Sequence, residues 1–174
     1  MASMNKGFVL WLMGPTSSGK TTIAEQLLVR LRSDGHRALH FDGDEVRNFF
    51  GDDFGFQASD RHRVVGTLVH LANKTSEGGI HAIVSALTAN KDARKLVNDS
   101  IDELSIVYIK CSIETCAERD PKGLYAKAHS GEIDTLVGVN SEYLAPENPD
   151  IVIDTETLTP VEAVDAILGY LGQA

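Results

Sequence analysis

Cysteine is nearly absent: 174 residues contain only Cys111 and Cys116, with no third or fourth metal-type ligand beside them. That excludes a disulfide-stapled scaffold and a cysteine-rich zinc site, and leaves two buried or half-buried thiols in a reduced compartment. No apolar run reaches the ~18 residues that a membrane-crossing helix needs. The opening stretch Met1-Ala2-Ser3-Met4-Asn5-Lys6 has no apolar leader core. Positive charge is scarce as well, with 16 Lys and Arg against 25 Asp and Glu, a formal charge of −9. An acidic surface argues against nucleic acid and anionic membranes as partners. It leaves room for a small phosphate site, which needs only a few local cations. Internal repeats, linkers and low-complexity stretches are also missing. The expectation is one cytoplasmic globular domain over residues 1–174, with residues 1–5 set apart as a tag or disordered start.

Five short apolar runs are present: Phe8–Met13, Ala38–Phe41, Ile80–Ser85, Ile106–Cys111 and Ile151–Ile153. Between them, apolar residues recur at helical spacing, as in Ile23, Leu27, Leu28 and Leu31, or Val161, Val164, Ile167, Leu168 and Leu171. Asp34-Gly35, Gly78-Gly79 and Pro160 punctuate the joins. Buried runs separated by helices predict an α/β fold with a five-stranded parallel sheet covered on both faces. In such a sheet ligands sit at the carboxyl ends of the strands. The residues just after each run therefore carry the functional reading.

After the first run comes Gly14-Pro15-Thr16-Ser17-Ser18-Gly19-Lys20-Thr21, which fits G-x-x-x-x-G-K-[ST]. A strand before it and a helix from Thr21 to Leu31 after it supply the setting of a phosphate-binding loop. Backbone N–H groups and the positive helix end attract the phosphates. Lys20 adds charge near the β- and γ-phosphates, and the Thr21 hydroxyl is a magnesium ligand. A nucleoside triphosphate and Mg²⁺ are therefore the expected ligands, on a P-loop NTPase fold.

The second run ends in Asp42-Gly43-Asp44. A hydroxyl acceptor needs a carboxylate to take its proton, and magnesium needs oxygen ligands; one aspartate suits each task. Arg47, one helical turn further, faces the same way and suits an acceptor phosphate. Arg61, His62 and Arg63 form a second basic group. After the fourth run, a short helix over Ile113–Arg119 breaks at Pro121 and Gly123. In a small kinase this is where a lid carries cations over the phosphates, and Arg119 and Lys122 are its candidates.

These segments resemble the adenylylsulfate (APS) kinases. The resemblance rests on Gly14–Thr21, on Asp42-Gly43-Asp44-Glu45-Val46-Arg47, on Gly55-Phe56 with Asp60-Arg61, and above all on Arg119-Asp120-Pro121-Lys122-Gly123-Leu124-Tyr125. Gly131-Glu132-Ile133 and Pro149–Thr155 extend it. It implies transfer of the γ-phosphate of ATP to the 3′-hydroxyl of adenosine 5′-phosphosulfate by a homodimeric enzyme. It also implies that Gly14, Thr16, Ser17, Ser18, Gly19, Lys20, Thr21 and Thr22 hold ATP, with Arg119 beside its base or phosphates. Asp44 would be the general base, Lys122 the lid cation, and Thr21 with Asp42 the metal ligands. Asp42, Arg47, Phe56, Arg61, Ser85, Leu87, Lys122 and Leu136 would meet the acceptor, with Arg47 and Arg61 on the phosphosulfate and Phe56 stacked on the base.

The acceptor half departs from the family's pattern. Val64 stands where the family commonly has an acceptor-touching asparagine, and Ser85–Asp92 lacks the usual arginines. Leu136-Val137-Gly138 replaces a segment whose phenylalanine sandwiches the base. Stacking is worth about 1–3 kcal/mol per base, so this loss should weaken or redirect acceptor choice. A kinase for another nucleotide conjugate, for example a CDP conjugate, is the alternative reading; a non-catalytic nucleotide-binding module is a second. A GTPase-like switch fits poorly, because Asn90-Lys91-Asp92-Ala93 puts alanine where a base-reading aspartate belongs.

Overall fold

The structure, a computed structural model, describes residues 6–51, 55 and 57–172. Strand β1 (Val9–Met13) is buried at every position, because it is the middle strand of a sheet covered on both faces. β2 (Ala38–Asp42), β3 (His81–Ala86), β4 (Leu104–Lys110) and β5 (Ile151–Asp154) complete a sheet in the order β2-β3-β1-β4-β5. Every pairing is parallel. The five expected runs are the five strands, with ends moved by one or two residues.

Helices α1 (Lys20–Ser33) and α7 (Pro160–Leu171) cover one face. Ile23, Leu27, Val164 and Ile167 pack there on Leu10, Leu12 and Ile109. On the other face lie α3 (Ala58–Glu77) and α4 (Lys91–Ser100), with Leu68, Ala72 and Val97 against Trp11 and Val84. Each fully buried Leu or Ile contributes about 1.5–3 kcal/mol by leaving water, so these two layers hold the sheet. The local signals agree with the packing. Thr159 and Glu162 form a capping box at the start of α7, with Pro160 in its first turn.

Three shorter helices stand at the carboxyl edge: α2 (Gly43–Phe50), α5 (Ile113–Arg119) and α6 (Leu124–His129). α5 has the limits expected from sequence. The lid segment has a small core of its own, in which Cys111, Cys116, Tyr125, Ala128 and Leu136 are buried together. Both thiols are free and buried. Burial and the neighbouring Cys111 push the Cys116 thiol up to about 12. No described helix is long and apolar enough to cross a membrane.

Candidate active site

The phosphate loop is shaped by close approach. A Cβ on Gly14 would stand 2.3 Å from the Ile109 carbonyl oxygen. Gly19 has φ +99°, and Ser17 also takes a left-handed conformation. No side chain caps α1, so its first amides face the loop as a ready anion site. Thr16, Ser17, Gly19, Lys20, Thr21 and Thr22 line a cleft of about 680 Å³. Gly14 and Ser18, within the same loop, are both buried.

Lys20 Nζ donates to the carbonyls of Gly14 (2.9 Å) and Pro15 (2.6 Å). Burial pushes this ammonium down to about 8, partly offset by Asp44 and Asp42, while Lys122 adds to the lowering. The loop, the paired aspartates and the lid turn are thus electrostatically one site. Five cations line the cleft (Lys20, Arg47, Arg61, Arg119 and Lys122) against two acids, Asp42 and Asp44. A chain of net charge −9 has therefore concentrated positive charge at one place.

Asp42 is the last residue of β2 and also the N-cap of α2. Its Oδ1 accepts from the amides of Asp44 (2.8 Å) and Glu45 (3.4 Å). Its Oδ2 accepts from Thr21 Oγ1 (2.8 Å) and Ser85 Oγ (2.7 Å). Burial alone would raise this carboxyl, but hydrogen bonds from Ser85, Thr21 and the two amides outweigh it and hold it below the usual range. Two hard oxygen donors beside a phosphate loop fit magnesium. Among the described residues no cluster of three His, Cys, Asp or Glu side chains could cage a metal alone. That suits an ion which takes most of its ligands from phosphates and water.

The lid meets this edge at Lys122, whose Nζ donates to Asp44 Oδ2 at 2.5 Å. Burial disfavours the ammonium, but the bond to Asp44 prevails and raises Lys122 above its ordinary value. Asp120 accepts from the Tyr125 and Ala126 amides and so fixes the turn into α6. Tyr125 then donates its hydroxyl to the Thr16 carbonyl at 3.0 Å, tying lid to loop. Arg119 binds Thr155 through its hydroxyl (3.1 Å) and carbonyl (2.6 Å). Thr155 in turn donates to the Ser18 carbonyl. Leu158 and Pro160 line the cleft beside them.

At the other end, Arg47 donates to the Gly55 carbonyl and Arg61 to the Thr135 carbonyl. Arg61 is disfavoured as a cation first by burial and then by the like charge of Arg47. Val64, Leu87, Leu136 and Val137 give this end an apolar wall.

Two expectations need restating. Ser85 is almost fully buried, and its hydroxyl is committed to Asp42, so it acts on the site through that carboxylate. Leu136 lines the cleft but is only 7% exposed and packs into the lid's small core. Phe56 lies outside the described residues.

Sequence reasoning missed Thr155, Leu158 and Pro160, although the first of them directly follows the fifth strand. It also missed a clamp on Thr88, which lines the cleft. Thr88 has φ +42°, uncommon for a β-branched residue. Trp11 Nε1 donates to its hydroxyl (2.9 Å), and Arg94 Nε donates to its carbonyl (2.8 Å).

Residues 6–154 match the sequence model described as adenylylsulphate kinase. The chain is 37% identical over 169 residues to the adenylyl-sulfate kinase of Staphylococcus epidermidis, covering 96% of this chain and 85% of that protein. It is 40% identical over 149 residues to the probable adenylyl-sulfate kinase of Archaeoglobus fulgidus, covering 86% and 96%. The Mycobacterium tuberculosis APS kinase, solved in complex with AMPPNP and APS, superposes with a TM-score of 0.91 at 31% identity, covering 96% and 98%. Shikimate kinase from Aquifex aeolicus shares the fold at a TM-score of 0.59 and 21% identity.

Proposed function

We propose that this chain, which belongs to the adenylylsulphate kinase family, transfers the γ-phosphate of ATP to the 3′-hydroxyl of APS, giving PAPS. The observation that carries the reading is the meeting of Asp44 with Lys122 beside the phosphate loop, with Arg47 and Arg61 in the same cleft. An attacking alcohol, a transferring phosphoryl group and an anionic acceptor tail each find a group of matching chemistry.

Lys20 and the loop amides hold the β- and γ-phosphates, and the buried ammonium regains its full charge against them. Thr21 and Asp42 would hold magnesium, which when bound would supply charge neutralisation for the phosphates. Asp44 accepts or orients the proton of the 3′-hydroxyl. Lys122 exchanges Asp44 for the transferring phosphoryl oxygens, which frees the carboxylate as it neutralises developing charge. Arg47 and Arg61 hold the phosphosulfate, relieving their own repulsion. Arg119, Leu158 and Pro160 flank the donor base. Catalysis in this scheme is positioning and electrostatics, with no covalent intermediate on the protein. We also infer a homodimer, supported by the family resemblance and by Phe49, which is 85% exposed at the end of α2; light scattering should give twice the 18.8 kDa chain mass.

The test is acceptor-dependent release of ADP from Mg-ATP, with APS, ADP, CDP and their conjugates offered separately and the product identified. PAPS formation with APS is the expected result. Turnover on a cytidine conjugate but not on APS would transfer the reading to another acceptor. ATP binding without any turnover would refute the kinase itself.

A further inference from the structure

His40 and Asp42 lie two apart on β2, so their side chains share one face of the strand. The β2–β3 register sets Asp42 opposite Ser85 on the neighbouring strand. Ser85 Oγ is 2.7 Å from Asp42 Oδ2 and 2.8 Å from His40 Nε2. A serine hydroxyl has one proton to give. The Asp42 carboxylate can only accept, and it already takes Thr21 and two helix amides. The Ser85 proton therefore goes to Asp42, and the serine oxygen must accept its second bond. His40 supplies that bond, which fixes its tautomer with hydrogen on Nε2. The bonds run in one direction, from His40 through Ser85 to the oxygen of Asp42 that Thr21 shares.

We propose that His40 is a positioning residue for the metal edge of the site, acting through Ser85 to aim the Asp42 carboxylate at Thr21. This rests on the magnesium-dependent phosphoryl transfer proposed above, and it assigns a role to a side chain that the motif reading passes over. Without the His40 N–H, the buried Ser85 oxygen lacks a donor and its hydroxyl is free to turn away from Asp42. Asp42 then keeps its cap on α2 through Oδ1 but loses the restraint on Oδ2. The defect should appear in metal-assisted nucleotide binding and leave metal-free binding alone.

The readout is the gain in ATP affinity on adding saturating Mg²⁺, measured by titration calorimetry on the whole chain as the ratio of Kd in EDTA to Kd with the ion. His40→Leu and Ser85→Ala should each cut that gain about tenfold, the lower end of outer-shell effects on metal sites, with metal-free ATP affinity unchanged. The double variant should be no worse than either single one, because both break the same chain. His40→Gln carries an N–H near the place of Nε2 and should restore most of the gain; His40→Asn, whose N–H falls nearer Nδ1, should not. A gain within about twofold of wild type in His40→Leu, or additive losses in the double variant, overturns the proposal. Should His40→Leu fail to fold, equal losses in the Gln and Asn variants overturn it instead. No step of this measurement needs APS, so a wild-type chain inactive on APS would sink the acceptor assignment and leave this result standing.

Discussion

Lys122 Nζ and Asp44 Oδ2 are 2.5 Å apart across 78 residues of chain, joining the turn after α5 to the first turn of α2. Both side chains are more than half exposed, at 54% and 63%. An ion pair so wetted is worth only ~0–1 kcal/mol, so it holds the lid lightly. A phosphate arriving beside Lys20 competes easily for the same ammonium. The pair is a rest position for two groups whose proposed work begins when they part.

Asp44→Asn should therefore lower kcat by at least about a hundredfold, the ordinary scale of acid–base assistance. Removing the carboxylate leaves the loop untouched, so ATP affinity should stay within about threefold. Steady-state rates on APS together with ATP titration check both halves. A loss of turnover below threefold would remove Asp44 from the mechanism.

Lys20 offers a pH signature. Its ammonium is pushed down to about 8, chiefly by burial. Below pH 8 it is charged without ligand, and above pH 8 it is neutral. Bound phosphates favour the charged form, so binding at pH 9 must take up close to one proton. ATP affinity should fall as pH rises through 8, approaching tenfold per pH unit. Calorimetry in two buffers of different ionisation enthalpy measures the uptake. Zero uptake at pH 9 would contradict the buried ammonium.

Arg47 and Arg61 should separate acceptor from donor. Each is half-buried and hydrogen-bonded to a carbonyl, and the two repel each other. Arg61→Gln should raise the KM for APS by about ten- to a hundredfold, the value of a hydrogen bond to a charged group. ATP binding should not move. Because a like-charge neighbour is removed, the melting temperature should hold or rise; a fall in ATP affinity matching that for APS would place Arg61 elsewhere.

The sequence carried the sheet, the loop and the helix α5 because each is written locally, in an apolar run, a glycine pattern or a break at Pro121 and Gly123. Ser112 caps α5 through the Thr115 amide, within three residues. What escaped is set by register between strands distant in the chain. Nothing local to Asp42 says that Ser85 stands opposite it, or that His40 is the next donor along. Trp11 reads as one more core residue of β1 until its indole N–H is found on Thr88. Leu136 reads as an acceptor contact by alignment with a motif, whereas the lid's own small core decides how much of it faces the cleft.

The clamp on Thr88 leads to the remaining prediction. Thr88 is held at φ +42° just after β3, in the wall of the cleft, at the end where we propose the acceptor binds. Left-handed backbone at a β-branched residue costs about 1–3 kcal/mol and persists only where its surroundings enforce it. Two side chains enforce it here: Trp11 on the hydroxyl and Arg94 on the carbonyl. Arg94 also donates to the carbonyls of Leu144 and Ala145, so one planar fork ties the Leu87–Asn90 turn to the segment before β5. Lysine has the charge but a single donor point, and it cannot span three carbonyls. Arg94→Lys should thus behave like Arg94→Ala. In both, the KM for APS should rise severalfold while ATP affinity and the effect of magnesium on it stay unchanged. A charge effect alone would let lysine rescue alanine; equal KM for APS in wild type and both variants would show that the turn keeps its shape without the fork.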